Sequence, residues 1–169
     1  HDSPKVYWSP DSKRVVVIRV GPTPLQSVHL IESSPKKQKQ PKLHSQDSHL
    51  AGDQIEWARP IMFDIEKCQQ IASSHQHYPT PLRFLDCHWT TDSQEFRFVY
   101  HQRGRQRVSL IGVSRHGKVR VLIDEKSDTF IDSDYKHYFL ALDDERCIWM
   151  SERSGWNHLY LINHKDGST

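Results

Sequence analysis

Short runs of alternating apolar and polar residues, each closed by a turn, cover most of the chain. Lys5–Trp8 reads as a brief strand and Arg14–Val20, rich in β-branched residues, as its antiparallel partner. Gly21-Pro22-Thr23-Pro24 breaks that strand, because each proline removes a ladder donor. Ser27–Ile31 is expected as a third strand and Arg59–Ile65 as a fourth, with Gln69–Ala72 returning beside it. Between them, from Glu32 to about Glu56, the apolar period dissolves. Pro35-Lys36-Lys37-Gln38-Lys39-Gln40-Pro41-Lys42 has none, and His44–Gln54 is polar, so the pattern predicts a solvated excursion without regular structure. A cleaner set of strands follows at Phe84–Trp89, Glu95–Tyr100, Gln106–Val113 and Lys118–Ile123. Tight hairpins are expected at Gln102-Arg103-Gly104-Arg105 and His116-Gly117. Tyr138–Leu142, Arg146–Ser151 and Trp156–Ile162 make the last set. No segment sustains a helical period.

Inside this pattern one stretch repeats. Trp8-Ser9-Pro10-Asp11-Ser12-Lys13 recurs as Trp89-Thr90-Thr91-Asp92-Ser93-Gln94, and Leu142-Asp143-Asp144-Glu145 keeps the tail of it. Each copy is an aromatic or apolar strand end, an Asx-type turn and the start of the next strand. Repeated units of this kind cannot bury their faces alone and stack into arrays. Four antiparallel strands in about 40 residues match a propeller blade. The fold class is therefore all-β: four-stranded antiparallel blades forming a partial β-propeller, about three blades of a larger array. The units run over about 1–80 with an insertion at 32–56, over 81–126, and over 127–169.

Composition adds bounds. The 23 Lys and Arg against 21 Asp and Glu leave a formal charge of +2, too small to argue for nucleic acid. The Lys36–Lys42 run lacks interleaved aromatics for stacking on bases. No apolar run approaches the roughly 20 residues of a membrane helix, and no signal peptide is visible. The opening residues read as the interior of a longer chain. Cys68, Cys87 and Cys147 form no Cys-x-x-Cys pair and no zinc spacing, and Cys147 is expected as a buried small hydrophobe. His75 and His77, and His44 and His49, are read as solvated loop residues rather than metal ligands. No cofactor is implied. No serine sits in a context that pairs it with a base on a strained turn. Trp8, Trp89, Trp149 and Trp156 are expected to pack between blades.

Ser151-Glu152-Arg153-Ser154-Gly155-Trp156-Asn157-His158-Leu159-Tyr160 resembles the Ser-Glu-Arg-x-Gly-Trp-Asn-His-Leu-Tyr signature of dipeptidyl peptidase IV-like propellers, in the prolyl oligopeptidase superfamily of serine peptidases. The two Trp-containing repeats and Ser127-Asp128-Thr129-Phe130-Ile131-Asp132 fit the same family in the same order. The resemblance implies an eight-bladed propeller capping an α/β-hydrolase domain with a Ser-His-Asp triad. This chain has neither a G-x-S-x-G nucleophile elbow nor the family's Glu-Glu pair, which lies just upstream of the Trp-Ser-Pro strand. The expected role is a non-catalytic propeller segment of a serine exopeptidase, with no catalytic residue of its own. It would shape peptide access to a hydrolase domain outside this chain. The alternative is a non-enzymatic propeller that binds protein or polysaccharide.

The resemblance also implies that Gly21–Pro24, His101–Arg105, Asp128–Tyr135 and Arg153–Gly155 share the face turned toward the hydrolase. Asp134 and Tyr135 are the substrate-binding candidates there. It further implies that the 32–56 insertion is an arm pairing two subunits into a homodimer. The family's arm carries a Tyr-Pro-Lys-Ala-Gly turn, of which Leu50-Ala51-Gly52-Asp53 keeps the Ala-Gly.

Overall fold

The structure, a computed structural model, describes residues 5–23, 25–48, 57–132, 134, 138–165 and 168. Thirteen strands and no helix occur among them: β1 (Val6–Trp8), β2 (Arg14–Gly21), β3 (Gln26–Glu32), β4 (Lys42–Ser48), β5 (Trp57–Asp64), β6 (Gln69–Ile71), β7 (Pro81–Trp89), β8 (Glu95–Gln102), β9 (Arg107–Ser114), β10 (Val119–Lys126), β11 (Phe139–Ala141), β12 (Arg146–Ser151) and β13 (His158–Asn163). They form a first sheet ordered β1-β2-β5-β6, a second ordered β7-β8-β9-β10, a third ordered β11-β12-β13, and a separate pair β3-β4. The assigned strand pairings are antiparallel.

The first sheet departs from the expected order. Ser27–Ile31 does not continue it; β5 is its third strand and β6 its fourth. β3 instead pairs with β4, from Gln26 opposite Ser48 to Glu32 opposite Lys42. The stretch read as irregular thus contains a strand, Lys42–Ser48. Its polar residues hid it, because a strand open to water on both faces shows no apolar alternation. Cross-strand polar pairs replace that pattern: Ser27 Oγ donates to Asp47 at 2.7 Å, and His44 Nε2 lies 3.0 Å from Glu32 Oε2. The hairpin lies in a compact unit of its own, Val20–Trp57. The Leu50–Asp53 turn falls outside the described residues.

The other unit, which comprises the chain up to Arg19 and from Ala58 onward, is built on β8. In Glu95-Phe96-Arg97-Phe98-Val99-Tyr100-His101, alternate residues leave opposite faces, and all seven are buried. Phe96, Phe98 and Tyr100 join Val16, Met62 and Trp89 between the first and second sheets. Val99 joins Leu110, Cys147, Trp149 and Ile162 between the second and third. Tyr78 completes the first layer: 1% exposed, it stands edge-on to Phe98 at 5.3 Å and to Phe84 at 6.0 Å. The sequence predicts a solvated loop for its segment, yet His75 Nδ1 lies 2.9 Å from the Tyr78 hydroxyl, which ties the loop to this buried ring.

Two of the four tryptophans expected between sheets are there, Trp89 and Trp149. Trp8 and Trp156 are 57% and 77% exposed. Cys147 is buried, and burial pushes its thiol up to about 11.

The repeated turns have one construction. Ser9 Oγ donates to Asp11 Oδ1 at 2.6 Å and accepts from Arg14 N at 2.9 Å. Thr90 Oγ1 does the same with Asp92 at 2.7 Å and Glu95 N at 3.0 Å. In the third copy, one residue shorter, Leu142 replaces the hydroxyl and Asp143 Oδ1 accepts from Glu145 N at 2.9 Å and Arg146 N at 2.6 Å. Successive turns then hook together. Asp11 N donates to Ser93 Oγ at 3.0 Å, and Thr91 N and Oγ1 both donate to the Asp144 carboxylate.

The residues joining β3 to β4 are almost all exposed and bury nothing that the sheets need. Replacing Ser34–Gln40 by Asn-Gly, a two-residue hairpin turn, is expected to change stability by no more than about 0.5 kcal/mol, and the melting temperature by about 2 °C at most. A large fall in a thermal melt would show the loop to be packed structure.

Candidate functional site

The end of the sheets opposite the hooked turns carries the β8–β9 hairpin, the link from β10 to β11 and the β12–β13 hairpin. Gly104 (φ 90°) and Arg105 (φ 59°) take left-handed backbone, which lets Arg105 N return to Gln102 O at 3.0 Å. That hairpin holds the link. Ser127 N donates to Gln106 O at 3.0 Å and Ile131 N to Arg105 O at 2.6 Å. Gln106 Nε2 donates to Asp128 O at 3.2 Å.

Asp134 is the outermost tie. Its carboxylate accepts from Arg83 Nη2 at 2.5 Å and pairs with Arg105 Nη1. The hydrogen bonds from Arg105 and then Arg83 hold it below the ordinary carboxylate range. Asp134 therefore braces the link onto β7 and the β8–β9 hairpin of the second sheet. Tyr135 lies outside the described residues.

Beside the link an open cleft of about 700 Å³ runs between the second and third sheets, lined by Leu122, Glu125, Phe130, Ile131, Glu152 and Arg153 among others. Glu125 stands at its wall with a side chain 15% exposed. It accepts from Trp149 Nε1 at 2.8 Å, and Arg153 Nη2 lies 4.0 Å away. Arg153 is itself fixed, its Nε donating to Ser151 Oγ at 3.0 Å and its guanidinium lying 4.8 Å over the Tyr160 ring. The Ser-Glu-Arg stretch thus places a positioned cation, Arg153, on the cleft beside the partly buried carboxylate of Glu125 in β10. This chemistry suits a ligand that carries polar groups beside an apolar part, which Phe130 and Ile131 would flank. Among the described residues no group of three His, Cys, Asp or Glu could hold a metal.

At the opposite end lies a charge cluster that sequence reasoning missed. Glu95 Oε2 accepts from Arg97 Nε at 2.7 Å, and its Oε1 from Arg120 Nε at 2.6 Å. Burial alone would raise the Glu95 carboxyl, but these arginines overcome it and hold it below its ordinary range. Arg97 Nη1 donates to Asp144 O at 2.8 Å and stands 2.8 Å from His164 Nε2. The signal was present in Glu95-Phe96-Arg97-Phe98. That alternation puts two opposite charges on one face of a strand and two aromatics on the other. Gly112 makes the room, since a Cβ there would lie 2.5 Å from the Glu95 carboxyl carbon.

The whole chain, residues 1–169, matches the family model of the dipeptidyl peptidase IV (DPP IV) N-terminal region. The chain belongs to that family. It is similar in structure to a Bacteroides ovatus ATCC 8483 protein assigned as a dipeptidyl aminopeptidase IV, with 19% identity and a TM-score of 0.64 over 96% of this chain. It is likewise similar to Porphyromonas gingivalis dipeptidyl peptidase 4, with 15% identity and a TM-score of 0.66 over 97% of this chain. At these identities the likeness is one of fold. The chain spans 23% of the length of each. The sheets are accordingly blades, and the DPP IV N-terminal region here is a partial β-propeller, all-β as its pattern predicted.

The close fit around Glu95 yields a direct expectation. Gly112→Ala should cost about 1–3 kcal/mol through overpacking against a carboxylate that two arginines hold in place. Chemical denaturation measures it; an unchanged midpoint would mean that the carboxylate moves aside freely.

Proposed function

We propose that this chain is the non-catalytic propeller segment of a DPP IV-like serine exopeptidase, and that it shapes the access of peptides to a hydrolase domain outside the chain. The observation that carries the reading is the bracing of the β10–β11 link by the β8–β9 hairpin beside an open cleft, within a chain that matches the DPP IV N-terminal region throughout. Loops positioned by a rigid scaffold are the common place for recognition. The blades would run over about 1–80 with its insertion, 81–126 and 127–169. Asp134 would act by fixing the link, and Tyr135, next to it, would reach the peptide.

The test is kinetic. The full-length protein should release a chromogenic leaving group from Gly-Pro and Ala-Pro substrates, while the 169-residue segment alone leaves them intact. Tyr135→Ala in the full-length protein should raise KM. Turnover by the segment itself that a serine-directed inhibitor abolishes would overturn the non-catalytic assignment. A folded full-length protein inert toward every such substrate would favour the non-enzymatic binding propeller.

The β3–β4 hairpin belongs to the same proposal as the arm that meets a second copy of the protein. Its support is exposure: Leu30, Ile31 and Leu43 are 56%, 71% and 61% exposed on a two-stranded hairpin. Such a hairpin is marginal in water unless something covers it. Full-length protein lacking Gln26–Ser48 is expected to sediment as a smaller species than the intact protein; an unchanged coefficient would exclude the arm from the interface.

A further inference from the structure

Arg97 crosses from the second blade to the third, and what it meets there is a histidine. His164 is 7% exposed. Its Nε2 lies 2.8 Å from Arg97 Nη1 and 3.0 Å from Asp144 O. An arginine has only donors and keeps its proton. Nε2 faces that donor and the Asp144 carbonyl together, so the neutral ring either accepts from Arg97 or donates to Asp144 O, and in both forms Nδ1 is a buried atom with no hydrogen-bond partner. A charged ring would carry N–H at both nitrogens, which leaves Nδ1–H without an acceptor and sets a second cation against the Arg97 guanidinium 2.8 Å away.

The surrounding charges do not relieve this. On the second blade, Glu95 is already shared between Arg97 and Arg120. Asp92 in the adjoining turn is engaged by Thr90 and Gln94 N. On the third blade, the Asp144 carboxylate is turned to Thr91, and Glu145 is paired with Lys165 at 2.8 Å. Among the described residues, then, no carboxylate around His164 is left to receive a second cation beside Arg97.

We propose that the Arg97–His164 contact is an acid-sensitive joint between the second and third blades, closed while His164 is neutral and opened when its ring becomes positively charged. The electrostatics agree: burial is the largest influence and lowers the ring, the hydrogen bond to the Asp144 carbonyl opposes it, and the positive charges of Arg97 and Arg120 add to burial, so that the ring is held below the ordinary histidine value. The sign follows. A histidine depressed in the folded state contributes stability that is intact above about pH 6.5, its unfolded value, and drains away as pH falls below it. The joint sits at the hooked-turn end, where Thr91 and Asp144 also connect these blades, so its opening would loosen the blade-to-blade hook. This goes beyond the peptidase reading and does not depend on it.

Hydrogen exchange on the full-length protein tests it. Between pH 7.5 and 5.5, after correction for intrinsic exchange, amides of Glu95–Phe98 and Glu145–Cys147 should lose on the order of tenfold in protection, as pH 5.5 lies that far below the ordinary histidine value of about 6.5. Amides of Met62 and Phe63 on the first blade should not. His164→Gln, whose carbonyl can accept from Arg97 at any pH, should abolish the differential loss. Equal loss in His164→Gln, or no loss in the wild type, would overturn the proposal. If that variant fails to fold, the ring of His164 followed by NMR in the wild-type protein decides. Titration at the ordinary value of about 6.5 with protection unchanged would likewise overturn it.

Discussion

Phe96, Phe98 and Tyr100 leave one face of β8, while Arg97, Val99 and His101 leave the other, and every one of them is buried. A sheet with two buried faces needs a neighbour on each side. That requirement organises the rest: the first blade covers the aromatic face and the third covers the mixed one. Fully burying one such aromatic side chain is worth about 1.5–3 kcal/mol relative to leaving it in water, so each blade is stabilised chiefly by the next. The same demand repeats at the third blade. Leu140, Leu159 and Leu161 lie on its far face, 43%, 58% and 53% exposed, while Cys147, Trp149 and Ile162 on its near face are buried.

The polar contacts divide by end. At the hooked turns, each Asx turn spends its carboxylate on its own backbone, and a hydroxyl or a second carboxylate reaches the next blade. The Glu95–Arg97 pair sits among them with both side chains almost wholly buried. A buried pair gains little over apolar residues of the same volume, yet removing one partner leaves an uncompensated charge. Its value is therefore in fixing which blade edge meets which. Arg120, with a side chain 49% exposed, adds a screened and weaker contribution.

Strands with one buried face or two were legible because alternation and β-branched runs mark them, and the Trp-x-x-Asp turns marked the hairpins between. Three features escaped for physical reasons. β4 has no buried face, so nothing in its polarity distinguishes Lys42–Ser48 from a loop. Tyr78 is a single aromatic in a Pro- and His-rich connection, and a lone anchor has no period. The Glu95–Arg97–His164 contact joins residues from two blades, and only the fold brings His164 to the pair that the alternation of β8 already placed on one face. Of the candidate site residues, Asp134 is braced by Arg83 and Arg105, a pairing that requires knowing how the link lies on the β8–β9 hairpin.

The two ends of the blades follow different rules, and that difference bears on function. At the turn end hydrogen bonds hook blade to blade, and His164 stands among them as a buried titratable ring whose Nδ1 has no hydrogen-bond partner. At the loop end the polar groups brace loops without closing over them, leaving Glu125 and Arg153 on an open cleft with exposed Phe130 beside them. A scaffold that is rigid at one end can hold loops at the other within the fractions of an ångström that recognition needs. Anything that loosens the turn end should therefore be felt at the loop end, because β8 runs unbroken from Glu95 in the charge cluster to Gln102 at the hairpin that holds the link. The acid-sensitive contact and the cleft are the two ends of one strand.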